Sequence, residues 1–153
     1  MDYITNSSEE TSALASSLVQ KISPGTVLLL KGDLGSGKTT FTKAFAKTLG
    51  VQEEITSPTF TLMNLYDTTQ QDDLIHKIIH IDTYRMESED ELISIGAQDY
   101  IGMQGSVTLI EWPEKLSTLL EHKHCITLEF EHLSENTRKI SVQFPLTSHP
   151  EPV

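Results

Sequence analysis

Residues 32–39 read Gly32-Asp33-Leu34-Gly35-Ser36-Gly37-Lys38-Thr39 and match the pattern G-x-x-x-x-G-K-[ST]. Each type has a reason to be there. Glycines let the backbone curl so that successive N–H groups point inward at phosphate oxygens. A helix opening at Lys38 adds the partial positive charge of its N-terminus. The Lys38 ammonium can reach the β- and γ-phosphates, and the Thr39 hydroxyl can ligate Mg²⁺. Lys38 is expected to be exposed.

Such a site needs acids for the metal and its waters, and two lie at the ends of apolar runs. Ile78-Ile79-His80-Ile81-Asp82 resembles a Walker B strand, and Val107-Thr108-Leu109-Ile110-Glu111 is a second run ending in a carboxylate. In open α/β sheets ligands gather at the carboxyl ends of strands. One acid can hold Mg²⁺ through water while the other orients the attacking water. Thr56-Ser57-Pro58-Thr59-Phe60 stands where a loop closing on Mg²⁺ and the γ-phosphate is expected, with Thr56 or Thr59 as the γ-phosphate sensor. No [NT]-K-x-D guanine-reading motif occurs, so ATP is preferred over GTP. Trp112, the sole tryptophan, follows Glu111 directly and suits either base stacking or burial.

The elements around these residues form an α/β pattern. The spacing predicts a helix over 8–22, opened by a Ser7/Glu10 capping box and stopped by Pro24-Gly25. The apolar run 26–30 predicts a strand buried on both faces of a parallel sheet. A helix is expected from Lys38 to Leu49, with Phe41 and Phe45 on one face and Gly50 as its stop. Thr59–Tyr66 and Ile75–Ile81 predict a hairpin, because the polar loop 67–73 is too short for a parallel crossover. A capping box at Ser88 and Glu91 predicts a helix ending near Gly96. Further expectations are a strand over 107–110, a helix over 114–122, and an antiparallel pair formed by 124–131 and 139–144. Residues 1–144 are expected to form a single domain and 145–153 a disordered tail.

The chain has 153 residues, 22 acids against 11 bases, and a net charge of -11. Residues 1–50 carry 5 bases and 4 acids, while 51–100 carry 2 and 11. Only the segment holding the phosphate motif escapes the acidic excess. Nucleic-acid binding runs on clustered Lys and Arg, so the chain is not expected to hold RNA alone. No apolar run is long enough to span a bilayer, the N-terminus lacks a signal-peptide pattern, and the single Cys125 excludes an internal disulfide. The expected location is the cytoplasm.

Four segments in order carry a family resemblance: LKGDLGSGKTTFTKAFAKTLG (30–50), SPTFTL (57–62), HIDTYRM (80–86) and LIEWPE (109–114). Together they resemble the TsaE (YjeE) family, bacterial ATPases of tRNA threonylcarbamoyladenosine biosynthesis, over residues 8–144. The resemblance implies a P-loop NTPase fold, with central parallel strands flanked by antiparallel strands and helices on both faces. It implies an ATPase that is weak alone and acts with a TsaB–TsaD complex, which modifies adenosine 37 of tRNAs reading ANN codons. tRNA would be met through those partners, and ATP and Mg²⁺ are the implied ligands. By residue, Lys38 and Thr39 match the family's phosphate lysine and metal-ligating threonine, and Asp82 and Glu111 its strand-end acids; with the motif readings above, Gly35, Ser36, Gly37, Lys38, Thr39, Thr40 and Thr59 are expected to bind nucleotide and Lys38, Asp82 and Glu111 to be catalytic. Thr39, Asp82 and Glu111 would serve the metal. Thr11, Trp112 and Arg138 match positions near the nucleotide. Two positions depart from the family pattern: Ser36 replaces the usual Ala, and Thr83 stands where Leu is more frequent. Without the resemblance, a P-loop small-molecule kinase and a non-hydrolysing nucleotide switch are the alternatives. Only two arginines, Arg85 and Arg138, are available for the phosphate clamp a kinase needs.

Overall fold

The computed structural model describes residues 1–58, 61–69 and 74–145. A seven-stranded sheet organises them. Its strands are β1 (Asp2–Thr5), β2 (Val27–Gly32), β3 (Met63–Asp67), β4 (Lys77–Asp82), β5 (Ser106–Glu111), β6 (Cys125–His132) and β7 (Arg138–Gln143), in the spatial order β1-β7-β6-β2-β5-β4-β3. The four inner strands β6, β2, β5 and β4 run parallel. β3 pairs antiparallel with β4 on one side, and β7 and β1 continue antiparallel beyond β6 on the other.

Side chains alternate across the pleat, so each inner strand feeds two cores. Leu28, Leu30, Ile78, Leu109, Ile126 and Leu128 pack on one face beneath α1 (Ser8–Val19) and α2 (Lys38–Thr48), against Leu14, Leu18, Phe41 and Phe45. Val27, Ile79, Ile81 and Ile110 pack on the other face against Met86, Leu92, Ala97, Ile101, Leu116 and Leu119. That second cover consists of the short α3 (Asp90–Ser94), loops and single 3₁₀ turns. The fold is the expected α/β type with a parallel centre and antiparallel flanks.

The P-loop helix opens at Lys38 as the motif requires. The cap of α1 also forms: the Glu10 amide donates to Ser7 Oγ at 3.1 Å, while the Glu10 carboxylate reaches back to the Asn6 amide. α1 nevertheless ends at Val19, three residues short of expectation, and 3₁₀-type bonds from Lys21 and Ile22 finish the turn. The 59–66/75–81 hairpin exists, with β3 starting at Met63; residues 59–60 and 70–73 lie outside the described residues. α3 covers only Asp90–Ser94, although Glu91 Oε2 does accept from the Ser88 amide as the capping box predicts.

The helix expected over 114–122 is absent and is replaced by 3₁₀ turns at Pro113–Lys115 and Thr118–Leu120. The cause is tertiary. The Glu89 carboxylate accepts from the amides of Ser117, Thr118 and Leu119 at 3.1–3.4 Å, so these donors are satisfied outside a helical ladder. Those bonds hold the Glu89 carboxyl below its ordinary value. β1 was not legible in the sequence, because a four-residue edge strand shows too few alternations to register. The expected tail beyond residue 145 lies outside the described residues.

Candidate functional site

A cavity of about 460 Å³ opens at the carboxyl ends of β2, β4 and β5, within the range of nucleotide-sized pockets. The P-loop supplies Leu34, Gly35, Gly37, Lys38, Thr39 and Thr40. Ser57 faces them from the 56–58 segment, Asp82, Tyr84 and Arg85 from β4 and the loop after it, and Glu111, Trp112 and Arg138 complete the wall.

Two glycines shape the loop by necessity. Gly37 sits at φ 110°, a left-handed region open chiefly to glycine, and turns the chain into α2. Gly32 sits at φ 148°, where a Cβ would lie 2.6 Å from Phe130 O and 2.7 Å from Ser36 Oγ. A side chain at 32 would therefore push the loop off the sheet. Ser36 is buried and does not line the cavity; its hydroxyl has no hydrogen-bond partner among the described residues.

Lys38 departs from expectation. It is 5% exposed rather than open to solvent. Its Nζ donates to Gly32 O at 2.5 Å and lies 3.5 Å from the centre of the Trp112 ring. Burial pushes the ammonium's pKa down, and the charges of Glu111 and Asp82 oppose that shift. The cation is thus folded back inside the loop that the motif predicts it should reach from, held by a carbonyl and an aromatic face.

The two acids meet as the strand ends predict. Asp82 and Glu111 are paired neighbours on adjacent parallel strands. Asp82 is half-buried; its Oδ1 accepts from the Tyr84 amide at 2.9 Å and its Oδ2 from Ser57 Oγ at 3.2 Å. Glu111 is 5% exposed, and its Oε2 is bonded to His80 Nε2 at 2.8 Å.

Trp112 is neither deeply buried nor free. Its backbone adopts φ 59°, ψ 57°, a left-handed conformation costly for a bulky residue. The conformation is held from both sides. The Trp112 amide donates to Leu30 O at 3.2 Å, and the Thr83 hydroxyl donates to the carbonyls of Trp112 and Glu111. Thr83, the second departure from the family pattern, therefore ties the end of β4 to the end of β5. The Tyr84 ring packs against the Trp112 ring, their centroids 5.0 Å apart, and so backs the aromatic face that lies over the lysine.

Of the other expected residues, Arg138 lines the cavity and donates through Nη2 to Gly35 O at 3.3 Å, while Nη1 binds carbonyls of its own loop. Thr39 and Thr40 stand at the mouth. Thr11 is not brought there. It is buried on α1, its hydroxyl 2.8 Å from Thr5 Oγ1. Thr56 is exposed and away from the wall; Thr59 lies outside the described residues. Sequence reasoning passed over Ser57, Tyr84, Arg85 and His80. A signal existed for Arg85: both arginines of an acidic chain line one cavity. No side-chain pattern announced Ser57, because its position depends on how segment 56–58 folds over β4.

These residues fit a Mg²⁺–triphosphate ligand. The loop leaves Gly35 with open space around it, the Thr39 hydroxyl is exposed, and two carboxylates and three basic groups border one cavity. Among the described residues no three His, Cys, Asp or Glu side chains form a metal cage of their own. A P-loop ion takes much of its coordination from phosphate oxygens instead.

Fold and site together define a P-loop nucleotide-binding protein of the α/β class. The family model described as "Threonylcarbamoyl adenosine biosynthesis protein TsaE" matches residues 5–140. Curated TsaE proteins are similar along nearly the whole chain. That of Bacillus subtilis (strain 168) is 38% identical over 141 residues, covering 92% of this chain and 84% of the relative. That of Aquifex aeolicus is 39% identical over 144 residues, covering 92% and 94%. The crystal structure of Bacillus subtilis YdiB superposes with a TM-score of 0.73 at 31% identity, covering 95% of this chain and 86% of that one. The chain belongs to the TsaE family.

Proposed function

We propose that this chain is the ATP-hydrolysing subunit of tRNA threonylcarbamoyladenosine biosynthesis, working in the cytoplasm with a TsaB–TsaD-type complex. One observation carries the reading: a complete P-loop, with Lys38 beside two carboxylates at adjacent strand ends. Family membership supports the pathway. The charge of -11 supports leaving tRNA contacts to the partners.

In this reading the amides of 35–40 and the α2 N-terminus cradle the phosphates. Lys38 leaves Gly32 O and the Trp112 face to meet the β- and γ-phosphates. Thr39 and Asp82 would hold Mg²⁺, which when bound neutralises phosphate charge. Glu111, fixed and shielded, orients the attacking water and receives its proton. Arg85 and Arg138 add positive charge at the rim. Ser57, bonded to Asp82 Oδ2, carries the γ-phosphate response from the 56–58 segment, with Thr56 or Thr59 as the sensor expected from the sequence.

The test mixes the chain with TsaB–TsaD, tRNA, Mg²⁺ and ATP and counts modification turnovers. Repeated turnover should need both ATP and Glu111. Full turnover without ATP, or with Glu111→Gln at the wild-type rate, would remove the hydrolytic role.

A further inference from the structure

We infer that His80 is a positioning residue for Glu111, holding one carboxylate oxygen so that the other faces the γ-phosphate side of the cavity. The inference rests on the hydrolytic reading above and deepens it.

His80 sits inside the sheet. It lies on β4 between Ile78 and Asp82, on the face covered by α1 and α2, and its register partner on β5 is Leu109. Ile78 and Leu109 are both fully buried, and His80 itself is 3% exposed. A leucine would fill such a layer without the penalty of burying an imidazole. What the imidazole has in return, among the described residues, is a single polar contact, the 2.8 Å bond from Nε2 to Glu111 Oε2. Nδ1 has no partner among the described residues. Among the described residues the ring therefore completes no core network and caps no backbone; its one polar contact there is with Glu111.

A carboxylate accepts and does not donate, so in this contact His80 Nε2 donates to Glu111 Oε2. The consequence for Glu111 is geometric. A glutamate has three rotatable side-chain bonds, and a group meant to align water loses rate when it wanders by an ångström. The bond to His80 occupies Oε2 and leaves Oε1, which receives no hydrogen bond from the described residues, for the cavity that Glu111 lines. Asp82 is oriented quite differently, by Ser57 and the Tyr84 amide, so losing His80 should leave Asp82 alone.

The experiment compares His80→Leu, His80→Gln, Glu111→Gln and the double variant His80→Leu/Glu111→Gln. Each full chain is assayed for Mg²⁺-dependent ATP hydrolysis with the partner complex and for binding of a non-hydrolysable ATP analogue. The expected result is a kcat lowered about 10–100-fold in His80→Leu, the usual range for a supporting partner of a functional ligand, with analogue affinity within about twofold. His80→Gln places an amide N–H near the Nε2 position and should recover most of that loss. In the Glu111→Gln background, adding His80→Leu should change kcat by less than about twofold, because a residue acting through Glu111 has nothing left to act on. If the leucine variant does not fold, His80→Asn, whose amide stops one carbon short of the carboxylate, takes its place with the same expectation. A wild-type kcat in His80→Leu, losses that multiply in the double variant, or a folded His80→Gln no better than leucine would overturn the inference and leave the ATPase reading standing. A wild-type chain that binds ATP but never hydrolyses it would overturn both.

Discussion

β4 and β5 lie side by side in parallel register, and each delivers an acid to the same cavity, yet the two ends are built differently. Asp82 stands half-open, clasped by groups from the following turn and from the 56–58 segment. Glu111 is withdrawn into the sheet, bonded to a histidine from the neighbouring strand and followed by a tryptophan in a left-handed conformation. A carboxylate near solvent can exchange waters around a divalent ion. A carboxylate shielded from solvent acts on whatever single molecule is placed before it, with its field less screened. Two similar strand-end signatures therefore end in two different settings, and neighbouring chain segments set the difference.

The comparison can be broken most severely at the residue that feels both acids. Lys38→Met should abolish measurable hydrolysis while the protein still unfolds cooperatively, because it exchanges a buried ammonium for an apolar chain of similar length. Thermal melting beside a phosphate-release assay checks this, and retained turnover would dissolve the P-loop assignment. Lys38→Ala should lose turnover too, with some stability lost from the cavity it leaves.

Next in size, Glu111→Gln should reduce turnover by roughly 10²–10⁴-fold, the usual worth of a positioned acid–base group, with ATP affinity retained by calorimetry. Asp82→Asn should instead weaken Mg²⁺-dependent nucleotide binding by roughly tenfold, about 1.4 kcal/mol. Titrating Mg²⁺ at fixed ATP separates the two, and identical profiles for both variants would erase the proposed division of labour.

The smallest effect tests the loop that carries the chain from Trp112 towards β6. Glu89 holds the amides of 117–119, and those bonds lower its pKa from the ordinary 4.5. A carboxyl lowered on folding stabilises the protein above its unfolded value, and that contribution disappears as pH falls through the folded value. Glu89→Gln should therefore cost at most about 1 kcal/mol at neutral pH, since water competes at this partly exposed site. Denaturant melts at pH 7 and below pH 4 should show the gap between variant and wild type closing in acid. A constant gap would mean that charge plays no part in holding the turn.

Much of this was legible in residue order because it depends on local chemistry. The P-loop, the start of α2, the buried apolar runs of β2 and β5 and the β3–β4 hairpin follow from turn residues, capping and hydrophobic pattern, which act over a few positions. The stretch after Trp112 was misread as a helix because its deciding partner, Glu89, lies 28 residues away from Ser117. Thr83 looked like a mild irregularity and is a tether between two strand ends for the same reason.

By itself the sequence determined which groups could meet a nucleotide: the glycines, Lys38, Thr39, Asp82 and Glu111 are each fixed to the end or start of an element that their own segment encodes. Only the tertiary structure decided the state of those groups. Lys38 is buried because Trp112 and Gly32 O close on it, Glu111 is held because β4 brings His80 beside it, and Thr11 turns towards Thr5 rather than the cavity. Burial and hydrogen-bond partners are properties of packed surfaces, and residues that are 31 positions apart in the chain, as His80 and Glu111 are, become neighbours only when the sheet pairs its strands.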